Sequence, residues 1–137
     1  MSETGSLQKI KFYTTSYVGM NIDYLKPMIN GLDAVLVDVR FSPISVVLRW
    51  RHVYLKTLLR EKYHHVAQLG SRAFRQGKAQ IQNLNLGIQI LVSFNANAVL
   101  MCECADPKEC HRLIISQELQ RKGFEVEELK NWKLIDT

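Results

Sequence analysis

All three cysteines of this chain fall between positions 102 and 110, as Cys102, Cys104 and Cys110, with His111 and Arg112 directly after. A thiol can act as a nucleophile or redox group, an imidazole as a proton acceptor, and a guanidinium as a fork for phosphate or carboxylate. Cys102, Cys110 and His111 are therefore candidates for catalysis, and Arg112 for substrate binding. A second set of polar residues sits in Val37-Asp-Val-Arg-Phe-Ser-Pro-Ile-Ser45. Asp38 and Arg40 have the same parity on a strand and so share a face, where Asp38 could order Arg40 for an anion. Arg112 beside Arg40 would make a two-guanidinium clamp. Glu103, ending an apolar run, needs a cation to offset its desolvation, and Arg112 or Arg40 is the expected partner. Thr15, Ser16 and Ser45 complete the binding candidates. His64 and His65 are adjacent, so one points to each face of a strand, and His65 is the candidate base from that pair.

Spacing narrows the chemistry. Arg112 lies eight positions after Cys104 and ten after Cys102, too far for the tight Cys-to-Arg anion loop of a protein tyrosine phosphatase or a rhodanese. Cys110 and His111 are neighbours, so on a helix they diverge by about 100°, and no metal site is expected. Cys110 also has Leu113 and Ile114 at helical spacing, which is the pattern of a buried structural thiol. Asp106-Pro-Lys-Glu109 has the grammar of a helix start, with a capping Asp, Pro in the first position and Glu three residues after the cap. No glycine-rich phosphate loop or dinucleotide fingerprint occurs, so no cofactor is expected.

The elements that must position these residues alternate along the chain. The pattern predicts strands at Lys9–Thr15, Ala34–Arg40, Tyr63–Val66, Ala98–Glu103 and Phe124–Leu129, and helices at Asn21–Asn30, Arg49–Lys62, 80–94 and Asp106–Lys122. Pro27 is tolerable only in a first helical turn, and Gly87 costs its helix about 1 kcal/mol relative to Ala. The near-continuous apolar runs at positions 34–37 and 98–102 are those of strands buried on both faces. The last strand is acidic and alternating, as an edge strand is. The expected fold is an α/β three-layer sandwich with a mostly parallel five-stranded sheet, Rossmann-like. In such sheets ligands bind beyond the carboxyl ends of the strands, where the turns after positions 15, 40, 65 and 103 converge.

The 137 residues suit one domain. Residues 1–8 read as a polar, disordered lead-in and 9–137 as a single α/β domain. No run is long and apolar enough to span a membrane, no signal sequence is evident, and the odd number of cysteines suits a reducing compartment, so a cytoplasmic protein is expected. The net charge of +5 is uneven: residues 1–78 carry 12 Lys and Arg against 5 Asp and Glu, and the remainder 6 against 8. Such a basic half could serve a nucleic acid or a phosphorylated ligand, or be a solvated face.

The boxes Val37-Asp-Val-Arg40, Ser42-Pro-Ile-Ser45, Leu69-Gly70, Cys102-Glu103, Asp106-Pro107 and Cys110-His-Arg112 together resemble the family named domain of unknown function 488, over roughly residues 10–129. The resemblance implies a single compact α/β domain with a site made of Asp38, Arg40, Pro43, Ser45, Cys102, Glu103, Cys110, His111 and Arg112. The turn at Thr15 and Ser16 and the position of His65 also match the family's order. The chain departs from that pattern where Val46 and Val47 stand in place of arginines, and where the early turn lacks a histidine. The functional expectation is an enzyme with a thiol and arginine site for a small anionic substrate, such as a nucleotide or other phosphorylated molecule. The alternative is a non-catalytic module that binds nucleic acid or an anion through the basic half. Neither reading sets the oligomeric state.

Overall fold

The structure, a computed structural model, describes residues 10–43, 45, 47–71, 81–103 and 111–134. Five strands form one sheet: β1 (Lys11–Ser16), β2 (Ala34–Asp38), β3 (Tyr63–His65), β4 (Asn97–Cys102) and β5 (Glu125–Glu128), in the order β3-β2-β4-β1-β5. Every pairing is parallel, so the sheet is wholly rather than mostly parallel. The connecting helices are α1 (Leu25–Gly31), α2 (His52–Leu59), α3 (Leu84–Ser93) and α4 (His111–Arg121).

Alternation along the strands explains the two cores. Tyr13, Ala34, Leu36, Tyr63, Val99 and Met101 point to one face and pack with Leu25, Met28 and Ile29 of α1 and Leu55 and Leu59 of α2. Phe12, Val37, Ala98, Leu100 and Cys102 point to the other and pack with Ile88 and Leu91 of α3 and Ile115 and Leu119 of α4. Successive residues of β2 and β4 are thus apolar because both faces are covered, which is the origin of the unbroken apolar runs. The chain steps from β1 to β2 in one direction across the sheet and from β4 to β5 in the other. Crossovers of one hand then place the first two helices and the last two on opposite faces. β1 and β4 are neighbours whose following segments leave in opposite directions, so a crevice opens between their carboxyl ends, where Ser16 is in register with Cys102.

Local chemistry shifts several boundaries. The single helix expected over Arg49–Lys62 is broken into a 3-10 turn at Leu48–Trp50, α2, and a second 3-10 turn at Arg60–Lys62. Arg51 is extended, with φ −78° and ψ 152°. Its Nε donates to the Ser45 carbonyl at 2.6 Å, and the His52 amide donates to the Pro43 carbonyl. These contacts hold Pro43 and Ser45 against the start of α2 and interrupt the helix. Pro27 lies in the first turn of α1. Asn83 caps α3 by accepting from the Leu86 amide. Gly87 is explained by packing: a Cβ there would stand 2.3 Å from Leu69 Cδ2. α4 is stopped two residues past Arg121 by Gly123, whose φ of 95° closes a helix-terminating turn in which the Phe124 amide donates to the Leu119 carbonyl. The expected lead-in, residues 72–80 and the expected helix start at Asp106 lie outside the described residues. No helix among the described residues is long and apolar enough to cross a membrane.

Candidate functional site

Polar side chains gather at the carboxyl edge of the sheet, and strand parity divides them into two clusters. On the α1–α2 face, Asp38 ends β2 fully buried and Arg40 follows at 4% exposure. The Arg40 guanidinium grips the carboxylate with two bonds, Nε to Oδ1 at 2.8 Å and Nη2 to Oδ2 at 2.6 Å. The Arg40 amide also donates to Oδ1, and the Tyr63 hydroxyl donates to Oδ2 at 2.7 Å. The Arg40 guanidinium lies 5.1 Å from the centre of the Tyr17 ring, and that ring stacks on Trp50. Burial works against charge on Arg40, but the hydrogen bonds and charge of Asp38 hold it firmly protonated. Burial, then the Asp38 charge, pushes the Tyr63 hydroxyl far above its ordinary value, so it stays a donor. Burial and the Glu103 carboxylate likewise raise Tyr17.

On the α3–α4 face, Arg112 projects from the first turn of α4 at 1% exposure. Its Nη1 lies 2.9 Å from the Cys102 sulfur at the end of β4. Its Nε and Nη2 bond both oxygens of Glu128, at 3.2 and 2.9 Å, and the Thr14 hydroxyl donates to the same carboxylate. Beside this cluster lies a cleft of about 270 Å³ lined by Ser16, Val18, Met20, Arg112, Glu128, Leu129 and Lys130. His111 is buried, and its Nε2 donates to the Val39 carbonyl at 2.8 Å, which settles the proton on that nitrogen.

The candidate residues thus occupy the expected edge, but the structure does not bring all of them together. Arg40 and Arg112 sit on opposite faces, each neutralised by its own carboxylate, so they form no shared clamp. The reason is parity: Asp38 and Cys102 end neighbouring strands with their side chains on opposite sides. Glu103 was expected to pair with one of the arginines. β4 ends one residue before it, so it is exposed and accepts from the Tyr17 hydroxyl at 2.8 Å instead. Thr15 is turned beneath the edge, where its hydroxyl donates to the Leu129 carbonyl and accepts from the Trp132 indole. Ser16 and Ser45 accept from the backbone two residues ahead, at Val18 and Val47. His65 is exposed on the α1–α2 face, its Nε2 donating to the Arg40 carbonyl at 2.8 Å. Cys110, with Cys104, lies outside the described residues. Among the described residues no group of His, Cys, Asp and Glu is disposed to hold a metal ion.

Sequence reasoning missed Glu128, Tyr17 and Tyr63. Glu128 shares a face of β5 with Val126 and lies in register with Thr14, a signal readable only once β5 is known to lie beside β1. Tyr63 lies in register with Leu36, two positions from Asp38, again a relation created by pairing. Compared with known proteins, the chain matches no family model, no curated protein and no solved structure.

Proposed function

We propose that this protein is an enzyme whose reactive group is the Cys102 thiolate and whose substrate is a small anion received at the crevice between β1 and β4. The observation that carries this reading is the Arg112 guanidinium 2.9 Å from the Cys102 sulfur at the point where the strand order reverses. A cation at that distance favours the thiolate and donates a charge-assisted hydrogen bond to it. Arg112 also walls the adjoining cleft, so one residue touches both the thiol and the space where an anion would lie. Ser16 and Lys130 add polar and cationic lining there. His65 lies on the other face of the sheet and His111 is tied to Val39, so the group that readies the thiol is the Nη1 donor of Arg112 rather than either imidazole. The residues that resemble the domain of unknown function 488 family at Cys102 and Arg112 are the same ones this chemistry requires.

The test is alkylation of each cysteine as a function of pH, followed by mass spectrometry, in the wild type and in Arg112→Met. Cys102 should titrate below the reference value of about 8.5, and the substitution should raise that midpoint and slow alkylation at neutral pH. If Cys102 stays inert at every pH while the protein remains folded, the thiol chemistry is refuted.

A second reading is a nucleic-acid module using the basic half. It is supported by Arg49, Lys56 and Arg60, exposed together with Tyr54 on and around α2. It loses Arg40, which is buried and paired with Asp38. Retention on single-stranded DNA or RNA that falls steeply with salt would favour it; no retention at low salt would exclude it.

A further inference from the structure

Among the described residues β3 is an edge of the sheet, and a groove of about 510 Å³ runs along it between α2 and α3. Parity shows that the groove wraps over the edge. His52 and Lys56 come from α2 and Tyr63 and His65 from the same side of β3; His64, Ile90 and Phe94 come from the other. This is the space a sixth strand would fill.

The backbone of β3 is prepared for one. The Val66 amide donates to the Asp38 carbonyl, so His64, two residues earlier, also turns its backbone toward β2, and Tyr63 and His65 turn theirs outward. The Tyr63 amide is taken by Arg60. The Tyr63 carbonyl and the His65 amide are left facing the groove, the pair that one residue of an added parallel strand bridges with its own N–H and C=O. At neutral pH the one charged side chain lining the groove is Lys56. Its lining holds Lys56 and three histidines and no carboxylate. Its apolar floor is Val66, Ile90 and Phe94, with the His64 ring stacked on Phe94 at 4.3 Å.

We propose that this groove binds an extended acidic peptide segment of a partner protein, which adds to the sheet beside β3. The main-chain pair favours a polypeptide over a nucleic acid, which has no amide ladder to offer. Lys56, with no carboxylate beside it in the lining, favours an acidic side chain, and the apolar floor accepts an alternate residue next to it. The site lies at the opposite side of β2 from the Cys102 crevice and is independent of the chemistry proposed there.

The experiment uses the full chain, labelled with nitrogen-15, and three fluorescent heptapeptides: alternating Glu and Val, the same sequence N-methylated at alternate amides, and alternating Lys and Val. Binding is read by anisotropy and located by amide shifts. The acidic peptide should bind and shift the amides of Tyr63 to Val66 and Lys56. N-methylation on the ladder side removes the one peptide N–H that reaches the Tyr63 carbonyl and should weaken binding about fivefold, the loss of one backbone hydrogen bond. Lys56→Glu, at an exposed helix position, should weaken it about fivefold, the order expected for reversing one exposed ion pair. Equal binding of the basic or N-methylated peptide overturns the proposal, as do shifts elsewhere or no binding at all. A single-stranded oligonucleotide that shifts these amides when the acidic peptide does not would assign the face to nucleic acid instead.

Discussion

Asp38→Asn is the substitution with the largest effect that the structure predicts. Asp38 is fully buried and accepts four hydrogen bonds, three from Arg40 and one from Tyr63. The amide removes the charge that compensates a guanidinium at 4% exposure. It also turns one acceptor into a donor facing another donor. The Tyr17 hydroxyl, 3.5 Å from Nη1, is too distant to take over. Removing one partner of a buried pair costs about 3–5 kcal/mol, which for a domain of this size lowers Tm by about 10–20 °C. Surface pairs set the contrast. Lys11 bridges Glu125 and Glu127 at 3.1 and 2.7 Å, but those glutamates are 72% and 54% exposed, and Lys11→Met should cost less than about 1 kcal/mol. The assay is urea and thermal unfolding by circular dichroism. The triple change Asp38→Leu, Arg40→Met, Tyr63→Phe removes every partner at once and should recover most of the stability lost in the single variant. A loss below about 1 kcal/mol for Asp38→Asn would mean that the pair is hydrated, and the argument from desolvation would fail.

Three further substitutions test other parts of the fold. Gly87→Ala gains about 1 kcal/mol of helix propensity, but the added methyl would meet buried Leu69 at 2.3 Å; overpacking costs about 1–3 kcal/mol, so the variant should be less stable in urea, and a more stable one would refute the packing account. Thr15→Val leaves the buried Trp132 indole N–H without its acceptor and should cost about 1–3 kcal/mol, with a change in tryptophan fluorescence; an unchanged unfolding midpoint would count against it. Burial holds His64 below its ordinary value of 6.5. Below that pH the unfolded chain takes up a proton that the folded chain resists, so the contribution of His64 is complete above about pH 6.5 and is lost as pH falls through the lower folded value. His64→Phe should therefore reduce the loss of stability between neutral and mildly acidic pH; identical pH profiles for variant and wild type would show that His64 is not desolvated.

Much of the architecture was legible in the residues because strand and helix periods are local. The apolar runs ending at Asp38 and Cys102, the acidic alternation of β5 and the break at Gly123 specify where elements lie, and βαβ order with short connections leaves few sheets to choose from. Asp38 with Arg40 was legible as well, since residues two apart on one strand must share a face. Other relations are not local. That Arg112 pairs with Glu128 rather than Glu103 depends on β5 lying beside β1. That Tyr63 completes the Asp38 cluster depends on β3 lying beside β2. The break in the helix before His52 follows from a contact between Arg51 and the Ser45 carbonyl. The sequence by itself determined the elements, their order and the edge where polar groups collect, because backbone geometry and burial act over a few residues. Only the tertiary structure decided which carboxylate meets which guanidinium, because a strand that alternates its side chains sends neighbours in the chain to opposite faces, and the strand placed beside it chooses their partners.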